Sequence, residues 1–498
     1  MLAVILCFLS GIGLSLAFPR TNFHSIAWVA LSPLMYYAIR LSWWRAIVCA
    51  FAFGLAFFAS LLYWIMVFGK LPWVALAVFQ SLYVVGYALA AKLLSQRLGP
   101  SWGRFLVVAA LWVVFEWLRS LGPLGFTWGT IGYTQHTVLS VAQLASVTGI
   151  WGVSALMAVS NSAVANLFLV RASSREGRPA YKQIAISAII ILCVVLAGSW
   201  MLRRDTYHRR HSIPVAVVQG NIPQTFYGGD DYEHRVWETY TQMTLSASKK
   251  KTLLVVWPET VVPGIVGVDP GPQKRLSRLS DMVETSLLVG GWDSDGRGGE
   301  LNTVFLFRPG NGIVGRYSKV RLVPFGEYLP NWVRQALPFI QNYKVTPRNV
   351  TPGSGFNLVD TGWGKIGTVI CFESIFPCIS RKMTSLGAEV LCVVTNDSWF
   401  EDTAAAEQHT AMSAFRAIEN RRYLLHCATT GVSAIFDPCG RVLARGQLLQ
   451  SAILHADIVP SRKATLYAWY GDWFVYVCLG LVVLVAFASV TKTCRLKT

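Results

Sequence analysis

The segment from Lys365 to Pro377 carries the first side chain that could act as a nucleophile. It reads KIGTVICFESIFP, an apolar run that ends at Cys371 and is followed by a polar turn. A thiol at the end of a strand is held in a fixed position. The next backbone N–H, that of Phe372, can point at a developing oxyanion. A cysteine after an apolar run is also typical of a packed core, so this segment alone does not establish a nucleophile.

Two other segments supply the groups that a thiol nucleophile needs. LLVVWPET delivers Glu259 just after Pro258 stops an apolar run, and YSKVRLVPFGEYLP carries Lys319 after a predicted strand. A thiol is weak at its own pKa and needs a base, which a carboxylate can provide. A lysine ammonium can stabilise the tetrahedral oxyanion. Taken alone, Glu259 is typical of an ordinary acid at the end of a strand, and Lys319 of a solvated surface charge. Together with Cys371 they predict a catalytic set of Glu259, Lys319 and Cys371.

Two more acids lie close to this set in the sequence. Glu327 sits in a Gly/Pro-bounded turn after Lys319, and Glu373 follows Cys371 by two positions. We consider both as supporting residues that orient Lys319 or relay protons. The alternative, that they are surface or structural acids, stays open at this point.

The elements that must position these residues lie between positions 213 and 459. Short runs rich in Val, Ile and Leu alternate there with turns and helical stretches, and several runs are apolar on both faces, as buried strands are. Glu407–Arg421 is predicted to be a helix carrying Arg416 and Glu419. The pattern predicts an α/β domain with two sheets flanked by helices. The predicted strands are Pro214–Gln219, Leu253–Trp257, Ser286–Gly291, Thr303–Arg308, Gly312–Ser318, Ile366–Ile370, Val390–Thr395, Tyr423–Thr429, Val432–Asp437 and Ala452–Ile458.

The chain as a whole has the composition of a membrane protein. Of the 498 residues 53% are hydrophobic and only 14% are charged, against about 25% in soluble proteins. We predict a bundle of about seven transmembrane helices in residues 1–202 and one C-terminal transmembrane helix in 473–490, because a bilayer needs about 20 apolar residues per crossing. Gly149 and Gly152 are expected to break the long stretch Thr137–Val170. The predicted spans are Leu2–Phe18, Ala27–Ile39, Ala46–Phe68, Trp73–Leu93, Phe105–Leu118, Ile150–Val170, Ile184–Leu202 and Trp473–Val490.

Lysine and arginine cluster in alternate loops, around Arg40–Arg45, Lys92–Arg104, Arg171–Lys182 and the C-terminal tail. By the positive-inside rule these loops face the cytoplasm, which places the region from about Arg203 to Asp472 on the outer side. The net charge of +18 is therefore spread between apolar blocks and does not favour nucleic acid as a partner.

Several polar residues of the membrane half have more than one interpretation. Glu116 and Arg119 form a structural ion pair or position a lipid head group, since an acid inside a span is a functional candidate by default. The basic residues next to the seventh span either anchor the chain on anionic lipid or hold a substrate phosphate; they are Arg203, Arg204, Arg209 and Arg210.

The ten cysteines and eight histidines give no recognisable metal-binding spacing. No CxxC or HxxxH motif occurs, so we predict neither a metal site nor a cofactor. An outer compartment would permit disulfides, but the sequence leaves open the pairing of Cys378, Cys392, Cys427 and Cys439.

The quoted segments carry a family resemblance. The region Ile213–Val459 resembles the nitrilase superfamily of carbon–nitrogen hydrolases, with WPET matching the position of Glu259, the Lys–VPFGEYLP block those of Lys319 and Glu327, and ICFES that of Cys371. With the helices before and after it, the whole chain resembles the apolipoprotein N-acyltransferase family. The segments QGNIPQ, VVTNDSWF, RAIENRRY and FEWLRSLGPLGFTWGTIGY also fit that family.

The resemblance implies a polytopic membrane bundle joined to an α-β-β-α sandwich with a Glu-Lys-Cys triad. It implies that Cys371 accepts a fatty acyl chain from a phospholipid, usually phosphatidylethanolamine. The chain then passes to the α-amine of a diacylglyceryl-cysteine on an apolipoprotein. It further implies the bacterial inner membrane, with the catalytic domain on the periplasmic side.

Two other functions remain compatible with the residues, namely a membrane-anchored amidase or nitrilase that uses water as acceptor, and a polytopic binding or transport protein.

A further expectation concerns Asn331–Gly355, which holds Trp332, Phe339 and Tyr343 among Pro and Gly. A loop this long suggests a mobile lid at the membrane interface or, alternatively, an aromatic contact without gating.

Overall fold

The computed structural model of the chain describes residues 1–98, 102–171, 178–204, 212–222, 230–336 and 348–495. The chain divides into two compact units. The first comprises Met1–Arg204 with Tyr470–Thr498, and the second comprises Asp205–Trp469.

The first unit is helical. Its helices in chain order are α1 Leu2–Ser15, α2 Ser32–Arg40, α3 Trp43–Leu61, α4 Lys70–Leu98, α5 Trp102–Leu118, α6 Leu139–Ala142, α7 Ala145–Thr148, α8 Ile150–Arg171 and α9 Arg178–Arg204, with α16 Trp473–Arg495 near the C-terminus. Short 3₁₀ turns lie at His24–Trp28, Tyr63–Phe68 and Ile131–Gln135.

Four of the helices in the described ranges are long and apolar enough to cross a membrane, over Trp43–Leu61, Lys70–Gln96, Ile150–Arg171 and Ala180–Arg204. Other predicted spans coincide with shorter helices. The span predicted over Ala27–Ile39 is divided into a 3₁₀ turn and the nine-residue helix α2. At about 1.5 Å per residue, α2 alone reaches roughly half of a bilayer core. The predicted break before α8 occurs at Gly149, which has φ +67°.

Small residues let the helices of this unit approach closely. Gly11 of α1 lies against the backbone of Phe53 in α3, where an added Cβ would overlap the Phe53 carbonyl oxygen. Gly54 of α3 lies against Ser81 of α4 in the same way, with an added Cβ 3.0 Å from the Ser81 Cα. Helix pairs inside membranes commonly pack through such small residues.

Glu116 and Arg119 are both buried in the first unit, with 2% and 4% of their surface exposed. Glu116 Oε1 accepts a hydrogen bond from the Ile131 N–H at 2.8 Å. Arg119 Nη1 donates to Gln80 Oε1 at 3.0 Å and to the Trp128 carbonyl at 3.1 Å. These contacts join α5 to α4 and to the segment after α5, so they favour a structural role over lipid head-group binding.

The C-terminal helix is fastened to the bundle just before it begins. Asp472 accepts hydrogen bonds from the indole N–H of Trp117 in α5 at 3.0 Å and of Trp151 in α8 at 2.8 Å. The Trp473 indole donates to the Val147 carbonyl at 2.9 Å. Helix α16 therefore belongs to the same helical unit as residues 1–204.

The second unit contains two six-stranded sheets. Its strands are β1 Ile213–Gln219, β2 Leu254–Val256, β3 Ser286–Ser294, β4 Glu300–Arg308, β5 Gly312–Ser318, β6 Val359–Asp360, β7 Lys365–Ile370, β8 Val390–Thr395, β9 Leu424–Ala428, β10 Ala434–Phe436, β11 Val442–Arg445 and β12 Ala452–Ile458. Its helices are α10 Asp230–Ser248, α11 Pro270–Val283, α12 Asn331–Ala336, α13 Pro377–Ser385 and α14 Ala405–Asn420, followed by α15 Leu466–Tyr470.

The strand orders are β12-β1-β2-β3-β4-β5 and β11-β10-β9-β8-β7-β6. The central pairs β1–β2–β3 and β7–β8–β9 are parallel, and the outer pairs are antiparallel. Helices α10 and α11 share one apolar core with the first sheet. On the second sheet, Gly367 of β7 packs against Met383 of α13. The Cys427 thiol of β9 reaches the carbonyls of Val218 in β1 and Val256 in β2, so the two sheets face each other.

This architecture confirms the predicted fold class, a helical bundle with apolar spans plus an α/β domain built from two sheets between helices. Every predicted strand overlaps a strand of the structure. Two strands were not predicted. Strand β6 has only two residues, and β11 is an edge strand whose residues are mostly exposed, so neither carries the apolar run that marks a buried strand.

Candidate active site

Cys371 directly follows the parallel strand β7 and begins a 3₁₀ turn that ends at Ile375. Its φ is +50°, in the left-handed region that a residue with a side chain seldom adopts. Such a conformation costs on the order of 1–3 kcal/mol and persists only where the surroundings enforce it. The residue as a whole is half-buried.

Glu373 enforces this turn. Its buried carboxylate accepts hydrogen bonds from the backbone N–H of Ile370 at 2.8 Å, of Val320 at 2.8 Å and of Arg321 at 3.0 Å. The Tyr317 hydroxyl donates to the same carboxylate at 2.9 and 3.0 Å. Burial raises the pKa of the Glu373 carboxyl, while the backbone donors oppose that rise. Glu373 thus ties the start of the cysteine turn to the loop that follows Lys319.

Lys319 follows β5 and lies between two carboxylates. Its Nζ is 2.9 Å from Glu327 Oε1 and 3.3 Å from Glu259 Oε1, and only 1% of the side chain is exposed. Burial alone would lower the pKa of the Lys319 ammonium. The negative charges of Glu327 and Glu259 outweigh this effect and raise the pKa above its ordinary value. Lys319 therefore stays a cation and acts as a hydrogen-bond donor.

Glu259 follows β2 and is held at both carboxylate oxygens. Its Oε1 accepts from the Asn302 amide at 2.7 Å in addition to Lys319, and its Oε2 accepts from the backbone N–H of Asn396 at 2.6 Å. Gly290 of β3 makes room for this loop. An added Cβ there would overlap the Pro258 carbonyl and lie 2.7 Å from the Glu259 Cα.

Glu327 lies in the tight turn after Lys319. Its Oε2 accepts from the Val323 N–H at 2.8 Å, which closes the turn, while its Oε1 binds Lys319. The side chain is 13% exposed. Of the two supporting acids considered from the sequence, Glu327 contacts the Lys319 ammonium, and Glu373 binds the backbone next to it.

The charges of Glu259 and Lys319 both act on the thiol of Cys371 and shift its pKa. Desolvation by the surrounding protein raises the pKa of Cys371 well above its ordinary value. The Glu259 carboxylate raises it further, and the Lys319 ammonium lowers it. The resting sulfur is accordingly a neutral thiol, and a base would have to take its proton before it could act as a nucleophile. The Phe372 ring packs edge-on against Phe376 at 5.1 Å.

The structure contains a buried cluster of Asp397, His409 and His426 that the sequence did not reveal. Asp397, after β8, is 3.2 Å from Nδ1 of His409 on α14, and His426 of β9 packs edge-on against His409 at 5.1 Å. Their possible ligand atoms lie within 4.8 Å of one another, a spacing that a metal ion could bridge. Nε2 of His409 already bonds Ser374 at 2.6 Å. Binding of an ion would therefore require the Asp397–His409 contact to open.

The expected lid over Asn331–Gly355 is only partly within the described residues. Phe339 and Tyr343 lie outside them, and Trp332 is on helix α12 with 56% of its surface exposed. After the gap, the Thr351 N–H donates to the Glu300 carbonyl at 2.9 Å and the Gly353 N–H to the Lys319 carbonyl at 2.7 Å. The C-terminal end of the predicted lid is therefore bound to the start of β4 and to the backbone of Lys319.

Comparisons with known proteins match both halves of the chain. The family model for the apolipoprotein N-acyltransferase N-terminal domain matches residues 10–163, and the carbon–nitrogen hydrolase model matches residues 214–466. The apolipoprotein N-acyltransferase of Geobacter metallireducens is 33% identical over 97% of this chain and 95% of its own length. That of Methylococcus capsulatus is 31% identical, again over 97% and 95%.

Among solved structures, Nit3 of Saccharomyces cerevisiae, a member of branch 10 of the nitrilase superfamily, aligns with 20% identity and a TM-score of 0.39, covering 50% of this chain and 90% of its own. The relatives match the chain over nearly its whole length, including both the helical unit and the domain that holds Cys371. The chain belongs to the apolipoprotein N-acyltransferase family.

Proposed function

We propose that this protein transfers a fatty acyl chain from a phospholipid, through a thioester on Cys371, to the α-amine of diacylglyceryl-cysteine on apolipoproteins. The product is the mature triacylated lipoprotein. The observation that carries the proposal is the match of full-length relatives named apolipoprotein N-acyltransferase. The geometry around Cys371 supports it, since a carboxylate and an ammonium both act on the sulfur.

The charges of the site divide the roles among the three residues. Lys319 keeps its proton because of its raised pKa, so it cannot serve as the base. Glu259 has acceptor oxygens, is anchored by Asn302 and Asn396, and therefore takes the proton of the Cys371 thiol. Lys319 and the backbone N–H of Phe372 stabilise the oxyanion, and each such donor contributes about 100- to 1000-fold in rate.

Acylation of the enzyme is the first half of the reaction. The Cys371 sulfur bonds to the ester carbonyl carbon of the phospholipid as its proton passes to Glu259. The tetrahedral intermediate then breaks the carbon–oxygen bond to glycerol. Glu259 returns the proton to that oxygen, which releases a lysophospholipid and leaves the acyl chain on sulfur.

Transfer to the apolipoprotein is the second half. The α-amine of diacylglyceryl-cysteine attacks the thioester carbonyl carbon and gives a proton to Glu259. The carbon–sulfur bond breaks, and the sulfur takes the proton back from Glu259. The products are an amide and the free Cys371 thiol, so the kinetics are ping-pong.

The substrates and the compartment are part of the proposal. The four long apolar helices and the family relatives mark a membrane protein, and we assign it to the bacterial inner membrane. The distribution of Lys and Arg supports a periplasmic position for the domain with Cys371. Phosphatidylethanolamine is the proposed donor, on the basis of the family resemblance.

The test supplies purified protein in detergent with labelled phospholipid and a diacylglyceryl-cysteine peptide. We expect a third acyl chain on the peptide, and a donor series with different head groups ranks phosphatidylethanolamine against the others. The alternative function is a membrane-anchored carbon–nitrogen hydrolase that uses water. Release of free fatty acid with no acylated peptide would favour that alternative and contradict the proposal.

A further inference from the structure

Cys371 lies beside a threonine that the mechanism above does not use. Strands β7 and β8 are parallel, with Ile370 opposite Val394, so the residues that follow, Cys371 and Thr395, stand next to each other at the ends of the two strands. Desolvation and the Glu259 charge raise the pKa of the Cys371 thiol, and the neighbouring Thr395 side chain lowers it. The Thr395 hydroxyl donates to Asp397 Oδ1 at 2.7 Å.

The contacts continue from Asp397 back to the cysteine. Asp397 Oδ1 is 3.2 Å from His409 Nδ1, and His409 Nε2 is 2.6 Å from Ser374 Oγ. Ser374 Oγ donates to the carbonyl oxygen of Cys371 at 2.8 Å. Thr395, Asp397, His409 and Ser374 thus form a chain of hydrogen bonds, here called the cysteine ring, that starts at Thr395 beside Cys371 and ends at the Cys371 carbonyl.

Counting protons fixes the state of this ring. A carbonyl oxygen only accepts, so the one hydroxyl proton of Ser374 goes to Cys371, and His409 Nε2–H must donate to Ser374. The Nδ1 of His409 then satisfies the Asp397 carboxylate only if it also carries a proton. The ring is complete with an imidazolium–carboxylate pair, in which both side chains are no more than 1% exposed.

The Asp397 carboxylate of that pair raises the pKa of the Cys371 thiol. Three charges act on the Cys371 thiol from separate segments: Glu259 after β2, Lys319 after β5 and Asp397 after β8. Lys319 is bonded to Glu327 and Glu259, and the oxyanion is its partner during the reaction. Among the described residues, three charged side chains and the neutral hydroxyl of Thr395 shift the pKa of this thiol.

We propose that Thr395 is a further catalytic residue, whose hydroxyl turns from Asp397 to the sulfur of Cys371 whenever that sulfur becomes anionic. Its proton stabilises the thiolate both as it attacks the ester and as it leaves the thioester. While the Thr395 hydroxyl rotates, the Nδ1–H of His409 still donates to Asp397, so the negative charge of Asp397 stays paired. Asp397, His409 and Ser374 are positioning residues that hold the hydroxyl and the strained backbone of Cys371. The inference rests on the proposed function for the identity of the reaction, but not for the chemistry of the thiol.

The test compares Thr395→Val, which keeps the shape of the side chain and removes the hydroxyl, with Thr395→Ser, which restores it. Thr429→Val is the matched control. Thr429 is a buried threonine beyond the end of the adjacent strand β9, and its hydroxyl has no partner among the described residues. Two quantities are measured for each full-length variant, the pH dependence of Cys371 alkylation by iodoacetamide and the rate of acyl-enzyme formation with phospholipid.

For Thr395→Val we expect the alkylation profile to shift to higher pH by about one unit or more, with acyl-enzyme formation slower by about 10- to 100-fold. Thr395→Ser should recover most of both, and Thr429→Val should match the parent. Unchanged alkylation and acylation in folded Thr395→Val would overturn the proposal. If Thr395→Val does not fold, Thr395→Ala is measured in its place, and loss of folding in both would assign the ring a structural role and also overturn it. Alkylation needs no lipid substrate, so failure of the acyl-transfer assay in the parent would contradict the proposed function separately.

Discussion

The surroundings of Lys319 keep its side chain protonated, so it cannot act as the base for Cys371. Two carboxylates, those of Glu327 and Glu259, lie within 3.3 Å of its ammonium and raise its pKa, while the Cys371 thiol is held neutral by desolvation and by the Glu259 charge. A neutral thiol next to a permanent cation needs a separate base. At the scale of single residues, the proposed reaction therefore depends on Glu259.

Replacement of Glu259 by Gln tests this dependence. The amide keeps the size of the side chain but cannot accept the proton, so we expect acyl-enzyme formation to fall by about 100- to 10,000-fold. Intact mass of the protein against time after mixing with phospholipid gives the rate. Glu407→Gln is the control, because Glu407 forms an ion pair with a partly exposed Arg445, and such pairs contribute little. A rate for Glu259→Gln close to that of this control would contradict the role of Glu259 as the base.

His426 leads to a prediction about stability. Its burial lowers the pKa to about 3, from 6.5 for an ordinary histidine, so the unfolded state binds the proton first as pH falls. Stability is fully present above pH 6.5 and is lost on acidification from there down to about pH 3, by up to about 1.4 kcal/mol per pH unit. Thermal midpoints between pH 6.5 and about 4.5 should fall more steeply for the parent than for His426→Gln.

The control for this series is His234→Gln, since His234 is 80% exposed at its side chain on α10. It should keep the pH slope of the parent. Equal slopes for the parent and His426→Gln would show that His426 takes up its proton in the folded protein as readily as in the unfolded chain.

At the scale of elements, the candidate residues lie just after the ends of strands. Glu259 follows β2, Lys319 follows β5, Cys371 follows β7, and Asn396, which binds Glu259, follows β8. Strand ends have fixed positions because both sheets are packed on two sides. A loop brought close to a neighbouring strand then needs a residue without a side chain, and Gly290 of β3 is that residue for the Glu259 loop.

We expect Gly290→Ala to reduce acyl transfer by about 100-fold, because an added methyl group pushes the Glu259 loop away and a displacement of about 1 Å costs that much. Initial rates of transfer to the peptide measure the effect. Gly480→Ala in α16 is the control, since an added Cβ there meets no atom within 4 Å. Transfer by Gly290→Ala at the parent rate would show that the close approach is not needed to place Glu259.

The same element view shows what the sequence could predict. Cys371, Glu259 and Lys319 could be predicted as a set because each follows a predicted strand and their side chains suit a nucleophile, a base and an oxyanion donor. Asp397, His409 and His426 were missed because they lie on a turn, a helix and a strand, and only the folded domain brings them together. The role of Glu373 was likewise hidden, since its partners are backbone N–H groups, which leave no mark in a sequence.

At the scale of the whole molecule, hydropathy predicted a membrane bundle but overestimated the length of some helices. The span predicted over Ala27–Ile39 is the example: helix α2 has apolar residues that are partly buried against other residues of the protein, and burial in protein requires the same hydropathy as contact with lipid. The four long helices carry the membrane assignment. The orientation rests on Lys and Arg in the loops.

Exposed Cys378 on α13 offers a test of that orientation. A membrane-impermeant maleimide should label Cys378 in right-side-out membrane vesicles, and Cys378→Ser should lose that label while Cys193→Ser, which changes a residue of α9, should keep it. Labelling of Cys378 in inside-out vesicles alone would place the domain with Cys371 on the cytoplasmic side and contradict the periplasmic assignment.

The most direct measurement of the whole account is intact mass of the purified protein after mixing with phospholipid alone, followed by addition of a diacylglyceryl-cysteine peptide. We predict that the parent gains one acyl chain as a hydroxylamine-sensitive thioester on Cys371, loses it when the peptide is added, and leaves a third chain on the peptide amine, while Cys371→Ala does neither. A peptide acylated by folded Cys371→Ala, or a parent protein that never carries the chain, would contradict the account.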